Sequence, residues 1–574
     1  MRSTRLSTVC LLAAALAGCA TAPTAQAPAA PEHAAALALL DQGKAKDAAA
    51  RLETLAAAAP AAQRGNLQAD AAFAWHDAGD DARARALLAQ LQPRRLSGES
   101  KLRHDLLVAE LAIADGRAAT ALPSLTTPAA QIPESLRTRW LLARAQAQEA
   151  GGDAWSAAIS RAQADATLQG KERDDNRRAI AKVLAGLDNA ALAAHATALP
   201  EGDPLYAFAG RALLARGLPL PHPFARADQW NFSRRAPAQA DGYRPPARLA
   251  VLLPLSGTLA TAAAPVRDGL LAGYFAERRA KPELQFYDTA GTPAGALAAY
   301  RKAVAAGSDY VVGPLGRDEV DALFRQKDSP VPVLALNRGQ TPPPPGDADF
   351  SLAPEDEGAA AAEFLLARGR KAVLVIGSAD DTGRRAVAAF GERFRQRGGK
   401  VLATLDAGDT VSPLASPLQA AAQAGADAVF LAVRGAQAQG LMPQLALAGL
   451  GGATRVGTSQ LAGGTGKREQ DAALDGIAFP TERWSLHGLP GLPSPGSAVA
   501  NDLPTTRGGA ARLFAFGHDA WLISAYLPKL ALDADGQVRG ATGTLRLDGF
   551  GNIVRTPAWA TYSGGQPVAL PDGR

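Results

Sequence analysis

The chain has 574 residues, 60 basic and 55 acidic, for a formal charge of +5. Charges of both signs are interspersed and no lysine- or arginine-rich block occurs, so nothing marks nucleic acid as a partner. Both cysteines, Cys10 and Cys19, lie near the N-terminus, leaving the rest of the chain without a disulfide, a thiolate ligand or a catalytic thiol.

Residues 1–18 read as a lipoprotein signal peptide. Arg2 and Arg5 precede an apolar run, Val9 to Ala17, which ends in Leu16-Ala17-Gly18-Cys19. That run falls short of the roughly 20 residues a membrane-spanning helix needs. Lipidation of Cys19 is the expectation, and loss of Arg2 and Arg5 takes the charge from +5 to +3. Two plainer readings are cleavage after Ala25-Gln26-Ala27, leaving a soluble protein, and a chance thiol at the end of an anchor helix. The position of Cys19, where the apolar run stops, favours lipidation. Residues 19–32 then form a lipidated Ala/Pro tether too poor in apolar surface to fold. No later stretch is apolar enough to span a bilayer, so the lipid is the expected attachment.

Residues 33–217 are rich in Ala and Leu and poor in β-branched clusters, which predicts helices. Glycines recur at Gly43, Gly79, Gly116, Gly152 and Gly186, and Ala48, Ala84, Ala121, Ala157 and Ala191 each stand five residues later. Pro60, Pro93, Pro128 and Pro200 close four of the units. Glycine supplies a left-handed turn between antiparallel helices, and a period in the mid-thirties resembles tetratricopeptide-like (TPR-like) pairs. The alternative is an irregular helical domain. Neither reading contains a catalytic constellation.

Residues 218–247 form a Pro-rich linker. Trp230 and Phe232 would be costly to leave wet, so it is expected to pack against a domain as a semi-rigid joint. From 248 to 574 buried strands alternate with amphipathic helices. The strands are placed at Arg248–Leu255, Leu284–Asp288, Tyr310–Gly313, Val331–Leu336, Lys371–Ile376, Val401–Leu405, Ala428–Val433 and Arg455–Gly457. The first helix of this series is placed near Pro265–Arg279. A late helix, Ala510–Leu530, precedes a β-like tail with turns at Asp535-Gly536 and Asp548–Gly551. The expected fold class is α + α/β, a helical repeat domain followed by two parallel sheets with a cleft at the strands' carboxyl ends.

The phrases AVLLPLSGTLATAAAPVRDGLLAGYF, LQFYDTAG, YVVGPLGRDEVDALF, DAVFLAVRGAQAQGLMPQL, ARLFAFGHDAWLISAYLPKL and GATGTLRLDGFGNIVRTPAWATYSGG stand in order through residues 248–565. They resemble the type I periplasmic-binding-protein fold, and more narrowly the C-terminal domain of the penicillin-binding-protein activator lipoproteins. That resemblance implies a non-enzymatic regulator without cofactor, on the periplasmic side of the outer membrane, that stimulates a class A penicillin-binding protein (a peptidoglycan synthase). Ala20, rather than Asp, after Cys19 resembles the outer-membrane sorting rule.

The alternative function is a small-molecule, amino-acid-like receptor. Its cleft would be lined by Ser256, Gly257, Thr289, Asn337, Ser378, Asp380, Arg434 and Ser459, at strand ends where such residues otherwise make turns and caps. Against it, the helix after the third strand opens Gly316-Arg317-Asp318-Glu319 without a hydroxyl, and two carboxylates take the place an anionic group would want. The seven histidines are scattered and suggest no metal site. His518-Asp519 is read as a non-catalytic neighbour pair whose side chains diverge. Gly463–Lys467 lacks the first glycine and the Ser/Thr of a phosphate loop and is read as a mobile loop. The stretches 342–345 and 488–509 are also read as loops, the second long enough to be disordered or to fold on a partner.

Overall fold

The computed structural model describes residues 31–570 apart from 226–229, 231, 327–328, 409–413, 495–496 and 498–501. The expected signal peptide, Cys19 and the expected tether up to residue 30 lie outside the described residues, as does part of the 488–509 stretch. The chain divides into two compact units, Met1–Leu168 and Gln169–Arg574.

The first unit is built of helix pairs: α1 (Pro31–Asp41) with α2 (Ala45–Ala58), α3 (Ala61–Asp77) with α4 (Asp81–Leu88), α5 (Gly98–Ala114) with a 3-10 segment (Ala118–Ser124), and α6 (Glu134–Ala150) with α7 (Ala154–Asp165). Gly43, Gly79, Gly116 and Gly152 join the partners with φ of 75°, 80°, 74° and 84°. After each glycine the next amide reaches back five residues, as when Asp80 N donates to Trp75 O at 2.8 Å and Asp153 N to Gln148 O at 2.9 Å. This bond satisfies a carbonyl that the helix end would otherwise orphan. Ala48, Ala84, Ala121 and Ala157 are fully buried, so the partners pack with no side chain larger than a methyl at those points.

The fifth expected unit departs from this pattern. Helices α8 (Gly170–Gly186), α9 (Asn189–Ala198) and α10 (Pro204–Ala215) belong to the second compact unit. Gly186 is the last residue of α8 and is not left-handed, and Ala191 is only half-buried. The carbonyls at the end of α8 accept side-chain donors instead: Arg216 Nη2 reaches Leu184 O at 2.7 Å, and Arg397 Nη1 reaches Ala185 O at 2.9 Å.

The linker packs. Tyr206 of α10 stacks on His222 with centroids 3.8 Å apart, while Trp230, Phe232 and Tyr243 are buried in the core of the domain that follows.

That domain has two lobes. In the first, β1 (Arg248–Leu253), β2 (Glu283–Asp288), β3 (Tyr310–Val312), β4 (Val333–Ala335) and β5 (Ala348–Asp349) lie in the order β2-β1-β3-β4-β5, all parallel. Helices α11 (Ala260–Ala276), α12 (Pro293–Ala305) and α13 (Arg317–Phe324) intervene. Along β1 the side chains alternate between two cores: Leu249, Val251 and Leu253 face one, Ala250 and Leu252 the other. That is the signature of a parallel sheet covered on both faces. Helix α11 begins at Ala260, so Pro265 falls within it and not at the expected start.

The second lobe repeats the order. It contains α14 (Pro354–Ala367), β6 (Ala372–Gly377), α15 (Asp381–Gln396), β7 (Lys400–Asp406), α16 (Ala415–Gln423), β8 (Ala428–Ala432), α17 (Gly435–Leu447), β9 (Thr454–Gly457), α18 (Arg468–Asp471) and β10 (Ala478–Thr481), and α19 (Arg483–His487) follows at the boundary, its buried Trp484 packed on Phe514 and Ala541. The chain then returns to the first lobe through α20 (Gly508–Leu532) and a small antiparallel sheet, β11 (Val538–Arg539), β12 (Thr544–Leu547) and β13 (Ile553–Thr556). It crosses once more to place β14 (Ala558–Ser563) and β15 (Gln566–Ala569) on the second sheet, whose order is β15-β14-β10-β9-β8-β6-β7. Three crossings therefore connect the lobes. The first lobe is closed by α11 against α20, where a Cβ on Gly269 would lie 1.8 Å from Phe514 O and one on Gly517 1.9 Å from Val266 O.

Candidate functional site

The carboxyl ends of both sheets carry the eight residues expected to line a cleft. Ser256 is exposed, and its hydroxyl donates to Asp288 at 2.6 Å. Gly257 is left-handed, with a hypothetical Cβ 2.9 Å from Ala290 O. Thr289 is fully buried, and Asn337 donates to Leu315 O at 2.9 Å while accepting from Arg338 N. In the second lobe Asp380 caps α15 by accepting from Gly383 N at 2.7 Å, and Arg434 stands 3.7 Å from it. The Ser378 hydroxyl is buried without a hydrogen-bond partner among the described residues. Ser459 donates from both its amide and its hydroxyl to Glu357, each at 2.9 Å. The structure thus brings Ser256 and Gly257 onto the loop tied by Asp288, and Asp380 beside Arg434, but it turns Ser459 toward the hinge.

Glu357 is the centre of a group that sequence reasoning missed. It stands in the first turn of α14, just after the first crossing. Arg512, near the start of α20, donates to it, and Arg555 of β13 lies 3.8 Å away. Arg512 also faces Glu482 at 3.5 Å. Each of the three crossings therefore contributes a charged side chain. Burial pushes the Glu357 carboxyl up, but Arg512, Arg555 and the Ser459 donors outweigh it and hold the group below the usual carboxylate range. A second interlobe pair lies nearby, with Arg338 of the first lobe 3.2 Å from Asp356 of α14. The available signal was a third acidic residue at a helix start, followed by Gly358 and four alanines, and a lone Arg in an apolar helix and strand. Such residues face inward only if partnered.

The opening of α13 is also occupied. Glu319 is buried, and its carboxylate accepts from Gly316 N at 2.7 Å, so the chain's own carboxylate satisfies that helix end. Burial raises its pKa, while the Thr289 hydroxyl and the Gly316 amide act in the opposite sense.

Two sequence readings need correction. The Gly463–Lys467 loop is fastened rather than mobile, because buried Asp471 of α18 accepts from Thr465 N at 2.6 Å and from its hydroxyl at 2.7 Å. The anion this loop embraces is its own. His518 and Asp519 do not diverge, since Nδ1 lies 3.2 Å from the carboxylate. Asp519 is nevertheless fully buried and accepts from Ala541 N, Thr542 N and the Thr542 hydroxyl, which fixes the turn after β11. Two cavities of about 170 and 270 Å³ lie elsewhere, the first among helices of the first unit near Phe73 and Arg139, the second beside Tyr526 and Val538.

The model of the family described as "LppC putative lipoprotein" matches residues 242–410 and 410–565. The chain belongs to this family. A relative from Mannheimia succiniciproducens, "Penicillin-binding protein activator LpoA", is 28% identical over 524 residues, covering 85% of this chain and 86% of that protein. The protein of the same name from Edwardsiella piscicida is 27% identical over 331 residues, covering 50% of this chain and 46%, about half, of its own length. Among solved structures, full-length LpoA from Haemophilus influenzae aligns with 91% of this chain and 97% of its own at 19% identity, with a TM-score of 0.49.

Proposed function

We propose that this chain is an envelope lipoprotein, held through Cys19 on the periplasmic side of the outer membrane, where it binds and stimulates a class A penicillin-binding protein. It acts as a regulator with no chemistry of its own. The observation that carries this reading is the alignment with the Mannheimia activator, which runs through both the helical and the two-lobed parts. The hinge adds support: ion pairs from all three crossings fill the base between the lobes, where a receptor would bury its ligand. Of the strand-end residues, Gly257 makes a turn, Asp380 caps a helix, Ser256 and Asn337 bond within their own lobe, and Ser459 is bonded to Glu357.

The test is glycan polymerisation by a purified class A synthase from the same cell, with and without the protein. Several-fold faster polymerisation supports the reading. A synthase that neither binds nor speeds up defeats it.

A further inference from the structure

Helices α8–α10 touch both lobes. On the first lobe, the turn Asp548–Asn552 between β12 and β13 meets α10. Phe550 lies edge-on to Phe208 with centroids 4.8 Å apart, and Arg211 stands 3.3 Å from the Asp548 carboxylate. A Cβ on Gly549 would lie 2.8 Å from Ala207, so the backbone of the turn rests on the helix. The turn is itself fixed to the first sheet, since Asp349 N donates to Gly551 O at 2.9 Å. On the second lobe the contact is electrostatic. Arg397, which ends α15, donates to Ala185 O at 2.9 Å and Leu187 O at 3.2 Å. Arg216, just past the end of α10, donates to Leu187 O at 2.9 Å and Leu184 O at 2.7 Å, completing the cap. A helix carboxyl end carries partial negative charge and unpaired carbonyls, and a guanidinium answers both.

We propose that α8–α10 form a brace across the two lobes that holds their angle fixed, so that this domain presents one rigid surface and does not close on a ligand. A rotation about the three crossings displaces α15 relative to β12 and β13, yet both are attached to the same three-helix segment. Closure must then break the Arg397 cap or the Phe208–Phe550 packing. The brace stands or falls independently of whether a synthase binds.

The test is the distance between spin labels on Arg301→Cys in α12 and Gln419→Cys in α16, both at exposed positions. The full chain is used with Cys10 and Cys19 replaced by alanine. The expected result is one narrow distance population in the otherwise unaltered chain and a distribution at least twice as wide with Arg397→Ala and Phe550→Ala combined. Restoring a donor with Arg397→Lys should recover part of the narrowing. A broad distribution in the unaltered chain overturns the brace, as does an unchanged narrow one in a folded double variant. Hydrogen exchange on the unaltered chain guards against a variant that fails to fold. Amides of α8 and α10 should open no more readily than those of β1 and β6, and faster opening of the helices alone overturns the proposal.

Discussion

Asp347 is enclosed beside β5, where it accepts a hydrogen bond from Val333 N at 2.8 Å. Burial raises its pKa from 3.8 to about 7. The unfolded chain gives up this proton near pH 4, so between that value and about 7 the folded state binds the extra proton. Stability from this group is therefore fully present at low pH and lost as pH rises through 7. Asp347→Asn keeps an acceptor for Val333 without the charge. Its melting temperature should exceed that of the parent by a few degrees at pH 8 and by clearly less at pH 5. At Gly79 the backbone decides. Its φ of 80° suits a residue without Cβ, and a Cβ there would meet nothing within 4 Å, so Gly79→Ala isolates the conformational cost. A loss of about 1 kcal/mol in urea unfolding is expected, and no loss at all would mean that the turn adapts.

At the scale of elements, two helices depend on contacts that their own sequences do not advertise. The α11–α20 crossing tolerates no methyl at Gly269 or Gly517, because backbone oxygens stand under 2 Å from where a Cβ would go. Gly517→Ala must push the helices apart through a core that includes Phe516 and Trp521, and overpacking of this kind costs about 1–3 kcal/mol or more. Calorimetry should show a lower melting temperature for the second unit. The Glu357 group is the other case. Arg512→Ala leaves a buried carboxylate short of its main partner, which costs on the order of 3–5 kcal/mol. Glu357→Gln in the same background should recover part of that loss. If it recovers none, the pair is not what holds the hinge.

For the whole molecule, the membrane and the partner are separate questions with separate readouts. Cys19→Ala should leave the circular dichroism spectrum unchanged and move the protein from the membrane fraction to the soluble one. A variant that stays with the outer membrane after a salt wash removes the lipid from the account. A ligand that binds only the folded state raises its melting temperature. The amino acids, tested singly at millimolar concentration, are expected to give no shift, and one clear shift would restore the receptor reading.

What the sequence by itself determined is the part of the molecule governed by short-range rules. Four glycine turns, eight strands of the two lobes and the Asp548–Gly551 turn follow from bonds a few residues long and from burial patterns with period two or 3.6, whereas β5, β10 and the antiparallel pairing of β14 and β15 that makes the second sheet mixed do not. The limits of that logic show at Gly186. It keeps the spacing of the other four, yet α8 is capped by Arg216 and by Arg397, whose contact with Ala185 spans 212 residues of chain. Glu357, Arg512 and Arg555 were illegible for the same reason, since a buried charge is tolerable only beside partners that folding alone brings near. Tertiary structure therefore decided what fills the base between the lobes and what ties α8–α10 to both of them.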